Sequence, residues 1–342
     1  MEESIYKEES IYKEESICDY EFSFLDKNKT FIVSNENIDI DFTTLSTEIT
    51  NIKFECDYNF PLNNLPAHIE SLVLYYNYNI ELTNLPCNLK CLVLGCEYNK
   101  PLYYLPESLE ILKIDSDYSY DLLHLPKTIK KLSLELEFNI YLNFDLPNLS
   151  ILDLKHSNFI YSNTVNIKCI NKLQNSLKEL YLPNYYRPNL AMENVGDTLE
   201  NTLELEKFTT LEILSIGWQD SCKYIKKFPI NLKKLILGDT YNHPLDNLPK
   251  KLEYLRLGND FNNNLSNLPT TLKNLDLDDN IICNILINYP ESLETIRIIE
   301  THPQKQLLCE NIKKKNLNIK IILKPDWDER ERELDYYRHL EW

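Results

Sequence analysis

Glycine occurs only 5 times in 342 residues and alanine only at Ala67 and Ala191. A chain so poor in glycine has little from which to build phosphate-cradling loops or tight strand-to-helix turns, which tells against most nucleotide-binding enzyme folds. Positive charge is also short: 36 Lys+Arg stand against 53 Asp+Glu, a net charge of -17. Coating a nucleic acid needs clustered cations, so that class is excluded. No uncharged apolar run approaches the roughly 20 residues that cross a bilayer. Residues 1–20 are acidic and have no apolar core of the kind a secretory signal needs. These absences predict an intracellular protein that engages neither nucleic acid nor membrane.

Constellations for chemistry are missing too. The six histidines stand far apart in sequence. The nine cysteines are odd in number and scattered, which reads as reduced thiols rather than a disulfide framework. Cys87, Cys91 and Cys96 form the one cluster, and it lacks the paired Cys-x-x-Cys spacing of zinc sites. Asp115 and Asp117 face no nameable partner and read as a solvated loop. No catalytic residue, cofactor or metal site is expected, and the chain reads as non-enzymatic.

What is present is a repeat. The pattern Leu-x-x-Leu-x-Leu occurs at Leu89, Leu92 and Leu94, and its middle position recurs at Ile52, Leu72, Leu92, Leu112, Leu132 and Leu152, spaced by 20 each. It continues at Leu180, Leu214, Leu235, Leu255, Leu275 and Ile296, with a weaker unit near Leu317 and Ile319. The steps of 28 and 34 on either side of Leu180 place inserts near 156–178 and 184–210. Period-2 alternation puts both leucines of Leu-x-Leu on one face and the residue between them on the other, which is a short strand. One such coil cannot bury its leucines; stacked coils do, with their strands side by side about 4.8 Å apart in a parallel sheet.

Further fixed points recur in each unit. Tyr58-Asn59-Phe60-Pro61-Leu62 precedes Leu65-Pro66, Tyr98-Asn99-Lys100-Pro101-Leu102 precedes Leu105-Pro106, and Tyr241-Asn242-His243-Pro244-Leu245 precedes Leu248-Pro249. Proline holds the preceding leucine extended, so the chain is expected to turn there with Leu65 or Leu85 aimed inward. Twenty residues leave room only for extended or 3₁₀ structure on the back of each coil. The asparagine that returns once per turn suits a ladder that satisfies buried backbone groups of successive coils. The frame Tyr/Phe-Asn-x-Pro-Leu, three residues, Leu-Pro, then Leu-x-x-Leu-x-Leu resembles the FNIP repeat, a short leucine-rich-repeat variant, over about residues 45–300. Arrays of this kind are similar to those of social amoebae and of giant viruses that infect amoebae. The resemblance implies protein-protein interaction, sometimes with an F-box that links the array to a ubiquitin ligase. Residues 1–44 hold a single leucine, Leu25, and no Leu-Pro start to such a module.

The expected architecture is an α/β-type repeat solenoid, a leucine-rich-repeat horseshoe with a concave parallel sheet of about 12 short strands and a mostly irregular or 3₁₀ convex side. Residues 1–20, in which Glu-Glu-Ser-Ile-Tyr-Lys repeats at Glu2 and Glu8 and again in part at Glu14, read as an acidic disordered tail. Residues 21–44 read as an N-terminal cap, 45–322 as the solenoid, and 323–342 as an acidic amphipathic helix or cap. Tyrosine, arginine and exposed apolar side chains are common anchors for partners. On the outward strand positions they single out Val73, Tyr75, Val93, Ile111 and Lys113 early in the chain and Lys234, Ile236, Tyr254, Arg256 and Arg297 late in it. The expected function is binding of a protein partner on that face, with ubiquitin-ligase adaptor and structural protein as the other readings.

Overall fold

The computed structural model of the chain describes residues 5–7, 26–75, 77–95, 97–115, 118–135, 145–155, 170–182, 204–217, 227–238, 241–278, 289–299, 302, 305–314 and 318–324. The chain divides into two compact units, residues 27–231 and residues 1–26 together with 232–342. β1 (Ile5–Lys7) belongs to the second of these. The first unit holds β2 (Thr30–Val33), β3 (Asn51–Phe54), β4 (Ser71–Leu74), β5 (Cys91–Leu94), β6 (Ile111–Ile114), β7 (Lys131–Leu134), β8 (Ile151–Asp153), β9 (Glu179–Tyr181) and β10 (Ile213–Ile216). The second continues with β11 (Lys234–Leu237), β12 (Tyr254–Leu257), β13 (Asn274–Leu277), β14 (Thr295–Ile299), helix α1 (Lys305–Lys314) and β15 (Lys320–Lys324).

Within each unit successive strands pair in parallel, one coil to the next. Leu92 is opposite Leu72 on one side and Leu112 on the other, and Leu255 stands likewise between Leu235 and Leu275. All twelve residues of the sequence frame, Ile52 through Ile296, lie in strands. The solenoid also reaches beyond the expected boundaries. β2 precedes residue 45 and pairs with β3, and β15 sets Ile321, not Ile319, opposite Ile296. The spacing of 25 between those two residues arises because α1 is spliced into that coil. A helix carrying Lys313 and Lys314 in its last turn is favoured by its own dipole, and it buries Ile312. The tail, expected to lack structure, supplies β1, which pairs with β15. Of the helix or cap expected at 323–342, residues 323–324 belong to β15 and the rest lies outside the described residues, as does most of the two inserts; at the end of the second insert Leu205–Lys207 forms a single 3₁₀ turn.

The core is the row of inward leucines: Leu72, Leu92, Leu112, Leu132 and Leu152 are all 0% exposed. A second buried column lies beneath it, the aromatic of each frame. Tyr78 and Tyr98 stack with ring centroids 6.5 Å apart, as Tyr241 and Phe261 do at 6.4 Å. Leu-Pro closes a turn in which the proline carbonyl accepts from the residue three further on, Ile69 to Pro66 at 3.1 Å and Leu89 to Pro86 at 3.0 Å. That third residue is the buried one. Leu65 and Leu85, expected to point inward, are only half-buried, because the turn hands the interior position to Ile69 and Leu89.

Two side-chain ladders tie the coils together. Asn79 Oδ1 accepts from the N–H of Asn99 at 3.0 Å, Asn99 Oδ1 from that of Ser119 at 3.1 Å, and Asn242 Oδ1 from that of Asn262 at 3.1 Å. The ladder expected from sequence exists, although the groups it serves are exposed rather than buried. The second ladder is made of hydroxyls: Ser108, Thr128 and Ser292 each donate to the carbonyl of the residue 19 or 20 positions earlier, at 2.7 Å. Gly95, Gly217, Gly238 and Gly258 all follow the last residue of a strand. At Gly95 the reason is visible: a Cβ would stand 2.9 Å from the Cα of Tyr75 in the neighbouring coil.

Candidate interaction face

The residues between the inward leucines form rows across the strands. In the first unit Lys53, Val73, Val93, Lys113 and Ser133 are in register, and in the second Ile236, Arg256, Asp276, Arg297 and Ile322 are. Alternation places these side chains on the face away from the leucines.

The structure corrects the expectation that the early group is an open apolar patch. Val73 and Val93 are 0% and 1% exposed, and Tyr75 is buried with them. Alternation reports the face a side chain takes and not how much of it water reaches, and in rows about 4.8 Å apart each valine is flanked on both sides by in-register neighbours. Ile111 and Lys113 remain partly exposed, and Lys113 Nζ lies 3.2 Å from Asp115 Oδ1. The same face carries other paired charges. Lys155 is 3.3 Å from the carboxylate of Asp153 and 5.2 Å from the ring centroid of Tyr181, whose hydroxyl donates to Glu179 at 2.9 Å.

Four of the late residues come together. Lys234 Nζ sits 5.0 Å from the ring centroid of Tyr254 on the next strand, a cation–π contact. The Tyr254 hydroxyl donates to Asp276 Oδ2 at 3.0 Å, and Arg297 is in register beside Asp276. Arg256 donates to Asp278 through Nε at 3.3 Å and through Nη2 at 3.2 Å. Lys234, Tyr254, Arg256 and Arg297 are each partly exposed, whereas Ile236 is buried at 4%. Asp276 and Asp278, 1% and 5% exposed, are buried and hold Tyr254 and Arg256. Burial and the Asp276 carboxylate push the Tyr254 hydroxyl well above the ordinary tyrosine range, so it stays a donor.

The sequence reading names neither Asp276 nor Asp278 among the site residues. The usable signal is that both follow the phase of Leu275-x-Leu277, one coil after Tyr254 and Arg256. It also passes over Tyr103 and Tyr104, 62% and 67% exposed, whose rings meet edge to face at 6.4 Å away from the sheet. Of the cysteine cluster, Cys87 is exposed, Cys91 is buried with its thiol raised to about 11 by burial, and Cys96 lies outside the described residues. Among the described residues no group of three or more His, Cys, Asp or Glu is placed to hold a metal, and no helix is long and apolar enough to cross a membrane.

Coils of one short strand and one turn, stacked in parallel over a leucine core, define a leucine-rich-repeat type of β-solenoid. The FNIP Repeat family model matches residues 224–260, which contain β11 and β12. Among solved structures the chain is similar to YopM from Yersinia enterocolitica WA-314, at 20% identity and a TM-score of 0.41. That match covers 83% of this chain, which thus spans about 59% of the other protein's length. No curated protein sequence matches the chain.

Proposed function

We propose that the chain is a protein-binding module whose partner seats on the outer face of β11–β14, over Lys234, Tyr254, Arg256 and Arg297. A repeat solenoid of this kind presents a long, regular surface and suits protein interaction. The observation that carries the choice of face is the array itself. Tyr254 and Arg256, of residue types that dominate binding hot spots, are held in fixed directions by buried Asp276 and Asp278 on a rigid sheet, with Arg297 in register beside Asp276. Pre-ordered anchors lose little side-chain freedom on binding, which favours affinity. The free thiols of Cys56, Cys87, Cys91 and Cys309 support an intracellular setting for this interaction.

The test compares capture of partners from amoebal lysate by the wild-type chain, a Lys234→Glu/Arg297→Glu variant and a Tyr103→Ser/Tyr104→Ser variant, each checked for an unchanged circular dichroism spectrum. The expected result is a protein retained by the wild type and the tyrosine variant and lost by the charge-reversed one. Retention by all three overturns the assignment. Loss in the tyrosine variant alone moves the contact to Tyr103 and Tyr104.

A further inference from the structure

β15 closes the run β11–β15, and its free edge is covered by β1, with Ile5 opposite Ile321, Tyr6 opposite Ile322 and Lys7 opposite Leu323. Uncovered, a strand edge presents a row of unpaired backbone groups and invites other chains to add to it. The covering strand comes from the first hexamer, Glu2–Lys7, and the second, Glu8–Lys13, is identical to it.

That identity has a structural consequence. A slip of one residue turns every side chain of a strand to the opposite face, but a slip of six is even and leaves each residue type where it was. Ile11, Tyr12 and Lys13 would therefore lie opposite Ile321, Ile322 and Leu323 as Ile5, Tyr6 and Lys7 do. The main-chain hydrogen bonds that drive strand addition do not distinguish the two copies. The third copy does differ: after Ile17 it reads Cys18-Asp19, which would set an acid opposite Leu323, 4% exposed.

Charge points the same way independently. Residues 2–17 carry six glutamates and two lysines, whereas residues 311–324 carry five lysines (313, 314, 315, 320 and 324) and no acid. The acids recur with the hexamer, so the attraction of the tail to this basic stretch is unaltered by a slip.

We propose that the outer edge of β15 is a strand-addition site for the Ile-Tyr-Lys segment of this chain's own tail, and that Ile11–Lys13 occupies it interchangeably with Ile5–Lys7. The hexamer repeat is then a redundant seal: when one copy leaves the edge, the other takes its place. This inference is independent of the partner face over β11–β14.

The test is hydrogen–deuterium exchange of the full chain, read at the amides of Lys320–Lys324. Three variants are compared with the wild type: Tyr6→Pro/Lys7→Pro, Tyr12→Pro/Lys13→Pro, and all four substitutions together. Prolines are placed in pairs because alternate residues of a strand direct their N–H to a given neighbour, so one of each pair removes a bond to β15. Each pair alone is expected to leave exchange within about twofold of wild type, and the four together to speed it by about tenfold or more. If the first pair alone matches the fourfold variant, the copies are not interchangeable and the proposal fails. If the fourfold variant exchanges like wild type, the tail does not seal the edge. Protection that disappears on about a hundredfold dilution would place a second molecule's tail there and overturn the assignment to the chain's own.

Discussion

Leu92→Ala tests the stacking of coils where it can be read most cleanly. Leu92 is 0% exposed and lies between Leu72 and Leu112 in a row whose members are likewise 0% exposed. Leucine-to-alanine changes in cores cost about 2–5 kcal/mol, and the upper part of that range applies where neighbours cannot move into the space. Here they cannot: backbone pairing holds Leu72 and Leu112 in place on both sides, so the expected loss is about 4 kcal/mol. Each coil contacts only its neighbours, so the loss falls on β4, β5 and β6 rather than on the whole chain. Urea unfolding followed by circular dichroism gives the size of the effect, and hydrogen exchange gives its location. Leu105→Ala, at the half-buried position before proline, is the control and should cost about 1–2 kcal/mol. A cost at Leu92 below about 1 kcal/mol, or exchange accelerated in β2 and β10 as much as in β5, would refute the reasoning.

Gly95→Ala brings a methyl group against the backbone of Tyr75, and should destabilise by about 1–3 kcal/mol in the same urea assay; a neutral effect would mean the coil spacing is loose. Arg256→Ala removes the bidentate partner of Asp278, which is 5% exposed. The expected cost is about 3 kcal/mol, and the double change with Asp278→Ala should cost clearly less than the sum of the singles. Additive costs would show that the pair is not coupled. Burial raises the hydroxyls of Tyr78, Tyr98, Tyr118 and Tyr254 above the ordinary tyrosine range. Because the native state holds these protons after the unfolded chain, whose tyrosines ionise near about pH 10, releases them, stability is complete below that pH and declines above it. Absorbance at 295 nm should show these four ionising only together with loss of the dichroism signal; ionisation of all 23 tyrosines near pH 10 in a folded chain would contradict the burial.

The solenoid is readable because it is periodic. A leucine that must face a shared interior every 20 residues leaves a phase that survives substitution by isoleucine at Ile52 and Ile296, and both are strand residues in register. The ends are less readable because end coils need not obey the frame on both sides. β2 carries Thr-Phe-Ile-Val in place of the leucine pattern, β15 is displaced by the splicing in of α1, and β1 is a three-residue strand among glutamates. The outer face is readable in direction but not in exposure. Period-2 logic identifies Val73, Val93 and Arg256 as outward-facing, yet Val73 and Val93 are closed to water while Arg256 is not. The array over β11–β14 depends on Asp276 and Asp278 meeting Tyr254 and Arg256 across strands, and that pairing emerges once the register is known.

The claim that the outer face of β11–β14 binds a protein is tested most directly by site-specific photo-crosslinking. A benzophenone amino acid is placed at Lys234 in one preparation and at Tyr103 in another, and the crosslinked species are compared after illumination in lysate. The array predicts one dominant adduct from position 234 and none shared with position 103. An adduct formed only from position 103 would contradict it.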